Sequence, residues 1–168
     1  MTDSSSLQDW RKNRQESAAN GTNPTILGTL ASGWVAFGDS QFLPGYCVLI
    51  SNNLASRAFE DLSYDERISF LYDMDCVGQS VKAACLTTGN GFTRINYEIQ
   101  GNLDQFPHAH IRARYSWEEP AFAIGPVTQY KTEHFNNPST NCLNDKYLSL
   151  RASITDHLET SCATFKRA

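Results

Sequence analysis

The spacing of apolar residues predicts one long helix in the middle of the chain. Between Leu62 and Cys85, apolar side chains recur every three or four positions, as they do along one face of an amphipathic helix. The stripe consists of Ile68, Leu71, Met74, Val77, Val81 and Ala84. Ser63 followed by Glu66 fits the capping box with which many helices begin. We therefore predict a helix over Leu62–Cys85 whose stripe packs against another element.

Strict alternation of polar and apolar residues follows this helix. Arg94–Ile99 and Pro107–Tyr115 both alternate with the period of a strand, and Gly101–Asn102 supplies a turn signal between them. One face of the second strand carries His108, His110, Arg112 and Arg114, and the other carries Ala109, Ile111, Ala113 and Tyr115. We expect the apolar faces to cover the helix stripe. The histidines and Asn96 would then lie on the opposite, polar face of the sheet.

Shorter patterns complete the prediction of a mixed fold. Trp34–Phe37 and Tyr46–Ile50 are typical of two strands of a hairpin, and Asn141–Thr164 of a second helix. We predict that three aromatic residues belong to the core: Trp34, Phe37 and Phe42. Alternatively, these side chains could form a wall against which a nucleobase stacks. Because strands and helices do not alternate regularly, the pattern favours the α+β class.

The N-terminal segment differs from the rest of the chain. Residues 1–24 are polar and are expected to be partly disordered, over Met1–Ser6, or helical, over Leu7–Ala19. Residues 25–168 are expected to form a single domain with a C-terminal helical extension.

Composition narrows the class of protein. The chain has 168 residues and a formal net charge of −4, which argues against a dedicated nucleic-acid binder. Its five cysteines include no C-x-x-C pair, so free thiols in a reducing compartment are predicted. No secretory signal and no membrane-spanning stretch are expected, and the predicted location is cytoplasmic.

His108 and His110 are the strongest chemical signal in the sequence. Alternate residues of a strand lie roughly 6.5–7 Å apart, so both imidazoles could reach one phosphate group. One could attack phosphorus while the other donates a hydrogen bond. Two alternatives remain open from the residues alone. The pair could lie on a solvated face, or it could chelate zinc, although no third ligand stands at a convincing spacing.

The order of these motifs resembles the histidine triad (HIT) superfamily. The resemblance spans roughly residues 25–126 and includes Pro44–Ile50, the capped helix, Arg94–Ile99 and His108–Ile111. Within this superfamily, the sequence is similar to the branch of dinucleoside polyphosphate hydrolases and related proteins. The resemblance implies a HIT-like fold, in which an antiparallel five-stranded sheet packs on a long helix, usually within a homodimer. It also implies a nucleotidyl-histidine intermediate on His108, with His110 as its phosphate-contacting neighbour.

The resemblance also assigns secondary roles and shows two departures. It implies that Asn96 and Asn102 contact phosphate or ribose, although a surface position and simple turn chemistry are the alternatives. Arg112 could approach a polyphosphate, but a solvated face is preferred for Arg112 and for Arg114. The first triad position is Phe106 instead of histidine, and Tyr46 stands where the family has histidine after Pro-Gly. The carbonyl of Phe106 could still hold the nucleophile's second nitrogen.

The predicted function is therefore hydrolysis or nucleotidyl transfer at the α-phosphate of a dinucleoside polyphosphate or a nucleoside phosphoramidate. The alternative is a catalytically weak, regulatory nucleotide-binding protein. The expected partners are a nucleotide and a second copy of the chain, without a membrane or a nucleic acid. No cofactor is predicted, apart from a divalent metal that a polyphosphate could carry.

Overall fold

One antiparallel sheet of six strands organises the computed structural model, which describes residues 10–168. The strands are β1 (Ile26–Thr29), β2 (Gly33–Phe37), β3 (Cys47–Ser51), β4 (Phe92–Ile99), β5 (His108–Tyr115) and β6 (Lys166–Arg167). Their order across the sheet is β4-β5-β3-β2-β1-β6. The expected five strands are therefore present, and a two-residue sixth strand pairs with β1 at one edge.

The predicted helices are present with changed bounds. The helices of the structure are α1 (Arg14–Ala19), α2 (Tyr64–Thr87), α3 (Pro120–Ala123), α4 (Thr132–Phe135) and α5 (Leu148–Ser161). Helix α2 is shifted two residues toward the C-terminus, the other two predicted helices are shorter, and α3 and α4 were not predicted. Helix α1 is the last half of the helix predicted over Leu7–Ala19, while the disorder predicted for Met1–Ser6 lies outside the described residues. Helix α5 begins later than predicted because Asn144 caps a separate 3₁₀ turn just before it.

The capping box of α2 is formed as predicted. The Ser63 hydroxyl accepts a hydrogen bond from the amide of Glu66, and the Glu66 carboxylate accepts one from the Ser63 amide at 2.7 Å. These contacts satisfy two of the amides that a helix leaves without intrahelical partners at its start. The pair therefore fixes where this helix of 24 residues begins.

The first turns of α2 bury a different face from the predicted stripe. Ile68 is 50% exposed and Leu71 is 38% exposed, whereas Phe70 is fully buried. The Asp73 carboxylate accepts hydrogen bonds from the Ser32 amide at 2.8 Å and from its hydroxyl at 2.6 Å. This contact ties α2 to the β1–β2 turn and rotates Phe70 toward the sheet. The rest of the predicted stripe is correct, since Val77, Val81 and Ala84 are buried.

The core lies between the sheet and a layer formed by α2 and α5. Ala109, Ile111 and Ala113 of β5 are fully buried beneath α2, as predicted. The cover over β4 is only partial, because Tyr97 and Ile99 remain 37% and 38% exposed. Gly78 allows the close approach of α2 to β4, since a Cβ there would lie 2.0 Å from the Tyr97 hydroxyl oxygen.

Candidate active site

The sheet face opposite α2 carries a row of residues that leads away from the histidines. His110 pairs with Val48 on β3, Val48 with Ala36 on β2, and Ala36 with Ile26 on β1. Directly paired residues share a face of the sheet. Asn96 pairs with Arg112 and therefore lies on the same face. The prediction that His108, His110 and Asn96 share a face opposite the helix is confirmed.

A cavity of about 420 Å³ opens on this face, within the size range of small-molecule sites. His108, His110, Arg112 and Tyr46 line one part of it, and the side chains of Ala36, Val48, Ile50 and Phe106 line the middle. Asn23 and Thr25, which precede β1, line the part farthest from β5 in strand order. The cavity therefore offers basic nitrogen atoms at one end and an apolar floor beside them.

His108 is held by the backbone of the residue two positions earlier. Its Nδ1 lies 2.8 Å from the carbonyl oxygen of Phe106. Because a carbonyl only accepts, Nδ1 must carry the proton, and in the neutral ring Nε2 keeps its lone pair. The side chain is 6% exposed and borders the cavity. This geometry leaves Nε2 available as a nucleophile.

His110 is oriented by Tyr46. The Tyr46 hydroxyl lies 2.7 Å from His110 Nδ1. Burial lowers the pKa of His110 to about 3, with smaller contributions from the charges of Arg112 and His108. Burial also raises the pKa of Tyr46 to about 12. The Tyr46 hydroxyl has no other hydrogen-bond partner among the described residues, so it donates to Nδ1, and the neutral ring carries its own proton on Nε2.

The two histidine rings are close enough to act on one group. Their centroids lie 4.9 Å apart and their planes are nearly perpendicular, at 85°. This separation is shorter than the roughly 6.5–7 Å expected from strand spacing alone. Neither Nε2 has a hydrogen-bond partner among the described residues, so a lone pair on His108 and a donor on His110 remain available to a ligand.

Arg112 is buried, and the solvated position preferred for it from the sequence is wrong. It is 7% exposed, and its guanidinium carbon lies 4.0 Å from the centroid of the Tyr46 ring. Its Nε stands 3.8 Å from a Glu98 carboxylate oxygen, which is too long for a hydrogen bond. The Tyr46 and Glu98 side chains that hold Arg112 are 52 residues apart in sequence, so alternation alone could not identify this position.

The same correction applies to Arg114, which belongs to a buried structural network instead of a solvated face. Arg114 is 4% exposed and donates to both carboxylate oxygens of Glu118, at 2.9 and 3.0 Å from its Nε. It also donates to the carbonyls of Phe122 and Gly125, and the Tyr130 hydroxyl donates to Glu118. These contacts fasten the chain after β5 onto the sheet.

The remaining predicted site residues fall in different places. Phe106 is 8% exposed, and its ring centroid lies 5.1 Å from that of His108 in the cavity wall. Asn96 borders a separate, open depression beside β4. Asn102 is exposed in the β4–β5 connection and does not line the cavity. Phe37 is fully buried in the core, as predicted.

An ion-pair cluster at the cavity, centred on Arg14 of helix α1, was not predicted from the sequence. Arg14 donates to Asp39 at 2.5 Å, and its other terminal nitrogen lies 3.5 Å from Asp104. All three residues line the cavity. The buried Gln15 anchors α1 by donating to the carbonyl oxygens of Ser51 and Asn53. The N-terminal segment therefore contributes to the site.

The described residues show neither a metal-binding cluster nor a membrane-spanning helix. Within residues 10–168, no group of three or more histidine, cysteine, aspartate or glutamate side chains is placed to hold a metal ion. All five cysteines are free thiols. No helix of the described chain is long and apolar enough to cross a membrane.

Comparison with solved structures identifies the fold. A histidine triad protein from Marinobacter aquaeolei VT8 matches with a TM-score of 0.56 and 18% identity, over 88% of this chain and 96% of that one. A histidine triad (HIT) protein from Sinorhizobium meliloti 1021 matches with a TM-score of 0.54 and 16% identity, over 82% and 93%. A histidine triad protein from Bradyrhizobium japonicum gives 0.54 and 16%, over 81% and 88%.

No protein-family model and no curated protein matches the sequence. The likeness is therefore one of fold, at identities too low for sequence comparison to detect. The chain has the fold of histidine triad proteins, and the HIT-like α+β fold predicted from its motifs is confirmed.

Proposed function

We propose that this protein hydrolyses or transfers a nucleotidyl group at the α-phosphate of a nucleotide, through a covalent intermediate on His108. The observation that carries the proposal is the 2.8 Å contact between His108 Nδ1 and the Phe106 carbonyl. It holds the proton on Nδ1 and directs the lone pair of Nε2 at a ligand. Neutral imidazole with this arrangement is a competent nucleophile toward phosphorus.

The proposed reaction has two displacements. His108 Nε2 forms a bond to the α-phosphorus, and the bond to the leaving group breaks with its electron pair on the leaving atom. The amine of a phosphoramidate takes a proton from solvent as it leaves, whereas a phosphate leaves as an anion. The resulting phosphorylated imidazolium keeps its proton on Nδ1, which continues to donate a hydrogen bond to the Phe106 carbonyl. Water or another acceptor then attacks phosphorus and loses its proton to solvent, and the electron pair of the phosphorus–nitrogen bond returns to His108.

His110 and Arg112 would stabilise charge during both steps. Because the pKa of His110 is lowered to about 3 by burial, it would act as a neutral hydrogen-bond donor from Nε2 and not as a cationic acid. Arg112 supplies the positive charge next to it, 4.0 Å from the Tyr46 ring. Charged donors already fixed in a buried site favour the charge that develops on phosphate oxygens.

The substrate class follows from the family resemblance together with the cavity. Dinucleoside polyphosphates and nucleoside phosphoramidates both place an α-phosphate beside a nucleoside. The apolar middle of the cavity, around Ala36, Val48 and Ile50, suits the nucleoside, and the histidine end suits the phosphate. No resident cofactor is part of this proposal; a divalent metal would enter with a polyphosphate.

A second candidate is a nucleotide-binding protein with weak turnover. Tyr46 donates to His110 where the family resemblance leads us to expect histidine, and His110, whose pKa is lowered to about 3, would not be protonated at neutral pH to assist the leaving group. In this second candidate function, the same nucleotide binds in the same cavity, but the rate of its hydrolysis or transfer is low. It would make the protein regulatory instead of metabolic.

An assay of binding and turnover on the same substrates separates these two functions. Dinucleoside polyphosphates and nucleoside phosphoramidates would be tested with the parent and His108→Ala proteins. Turnover that disappears in the variant while nucleotide binding persists supports the enzyme. Binding without turnover in the parent supports the second candidate, and the absence of both excludes a nucleotide site.

A homodimer and a cytoplasmic location complete the proposal. Strand β4 forms one edge of the sheet, and its Tyr97 and Ile99 side chains are 37% and 38% exposed. An edge strand with exposed apolar side chains can pair with another chain. The free cysteines fit a reducing compartment. Light scattering coupled to gel filtration would measure the mass of the assembly.

A further inference from the structure

Two buried side-chain nitrogens in the cavity wall lack hydrogen-bond partners. Among buried side-chain nitrogen and oxygen atoms of the described residues, only Asn23 Nδ2, Arg112 Nε and Glu98 Oε1 are unpaired. Asn23 and Arg112 both line the cavity. Buried polar groups in native proteins nearly always have a partner, so an exception calls for an explanation. Arg112 Nε lies 3.8 Å from a Glu98 carboxylate oxygen, whereas a ligand in the cavity would give Asn23 Nδ2 a partner.

These two residues mark different ends of the cavity. Arg112 lies on β5 beside His110, whereas Asn23 lies three residues before β1. Strands β3 and β2 separate β5 from β1 in the sheet. At roughly 4.8 Å for each strand spacing, the two ends lie about 14 Å apart. Val48 and Ala36 form the apolar floor between them, and this length and polarity suit a nucleotide better than a free phosphate.

The chemistry that Asn23 offers is fixed by its neighbour Thr25. The Asn23 side-chain oxygen accepts hydrogen bonds from the Thr25 amide at 3.0 Å and from its hydroxyl at 2.7 Å. Because a backbone amide only donates, the oxygen is assigned and the remaining atom is the NH₂ group. That group is a donor in a side chain that is 6% exposed. It therefore requires an acceptor.

We propose that Asn23 determines base specificity by donating a hydrogen bond from Nδ2 to an acceptor on the nucleobase. This inference rests on the proposed function, which places the phosphate at His108, His110 and Arg112. A ring nitrogen or a carbonyl oxygen at the contacted edge of the base would be favoured. An N–H group at the same place would be disfavoured, because two donors would then face each other.

Calorimetric titration with nucleoside monophosphates tests this pairing without requiring turnover. The four common bases are ranked first. The monophosphate that binds most tightly is then compared with analogues in which one ring nitrogen or one carbonyl at a time is replaced by C–H. For the parent protein we expect one analogue to bind about tenfold more weakly, which is the usual size for loss of one buried hydrogen bond.

Two substitutions show whether the lost contact belongs to Asn23. Asn23→Asp keeps an oxygen for Thr25 and replaces the donor with a carboxylate oxygen, whereas Asn23→Ala removes both the oxygen and the donor. Thermal unfolding checks that each variant is folded. If Asn23→Ala does not fold, Asn23→Asp alone still tests the inference. In neither variant should the unmodified nucleotide bind more tightly than the sensitive analogue, and in Asn23→Asp the analogue should bind more tightly, because a carboxylate oxygen would then face the acceptor of the unmodified base. The side-chain amide signals of Asn23 in the parent, absent from both variants, should shift when nucleotide binds.

The outcomes distinguish this inference from the proposed function. If every analogue binds the parent within twofold of the unmodified nucleotide, or if the same analogue is penalised equally in Asn23→Asp, Asn23 does not read the base. If turnover still depended on His108, the proposed function would be supported and only the inference about Asn23 would be wrong. If no nucleotide binds at all, both the proposed function and this inference are overturned.

Discussion

The hydroxyl of Tyr46 lies 2.7 Å from Nδ1 of His110, so a phenol holds an imidazole that lines the cavity. The Arg112 guanidinium carbon lies 4.0 Å from the centroid of the same phenol ring. Tyr46 therefore joins the two groups that would contact phosphate. It acts on the reaction only through them.

Replacing Tyr46 tests this positioning role. Tyr46→Phe removes the donor to His110, and we expect kcat to fall about tenfold, the usual effect of one buried hydrogen bond, with little change in KM. Tyr46→His retains a donor and should stay closer to the parent rate. The ¹⁵N shifts of His110 report its tautomer directly. If those shifts and kcat are the same in Tyr46→Phe as in the parent, the contact does not position His110.

Protonation of His110 should destabilise the fold in acid. Its pKa is lowered from 6.5 to about 3, so the unfolded chain binds a proton between these values while the folded chain does not. This contribution to stability is present above about pH 6.5 and is lost as the pH falls toward 3. His110→Asn, which cannot titrate, should lose less stability between pH 7 and pH 4.5. Urea unfolding at the two pH values measures the difference, and equal losses in both proteins would refute the assignment.

Phe106 is expected to serve the reaction through its carbonyl, not through its ring. Phe106→Ala keeps the backbone contact to His108 but removes a buried ring, so stability should fall by about 3 kcal/mol or more while activity remains measurable. Phe106→His should raise the rate if the family residue adds to the proton network. Unfolding curves and initial rates are the measurements. A folded Phe106→His protein much slower than the parent would show that the cavity serves another reaction.

The Arg114–Glu118 pair should be structural. Arg114→Met leaves the Glu118 carboxylate, whose side chain is 1% exposed, without its cation. Breaking a buried pair in this way costs about 3–5 kcal/mol. Arg94→Met, at the exposed position that pairs with Arg114 across the strands, is the matched control and should change stability by about 0.5 kcal/mol or less. Similar losses in the two variants would contradict this account.

The sequence predicted the elements whose patterns are local. The capping box of Ser63 and Glu66 and the alternation of β5 are read from neighbours within a few residues, and both are confirmed. The face shared by His108, His110 and Asn96 follows from alternation and from pairing register alone. β1 and β6 were missed because strands of four and two residues are too short to show a period.

The errors arose where tertiary contacts override a local pattern. The rotation of α2 depends on Asp73, which contacts Ser32 at a distance of 41 residues in sequence. The burial of Arg112 and Arg114 depends on Tyr46 and Glu118, neither of which alternation can place. Asn23 gave no sequence signal either. Its importance follows from an unpaired atom, which only a structure reveals.

The most direct test of the account is to trap the nucleotide on His108. Substrate labelled in its nucleotidyl group is mixed with protein and quenched in alkali, where phosphoramidates survive better than in acid. The parent should retain label on a peptide containing His108, and His108→Ala should retain none while its turnover falls by several orders of magnitude. Its nucleotide binding should weaken far less. Turnover in the parent that continues undiminished in His108→Ala would contradict covalent catalysis at this residue.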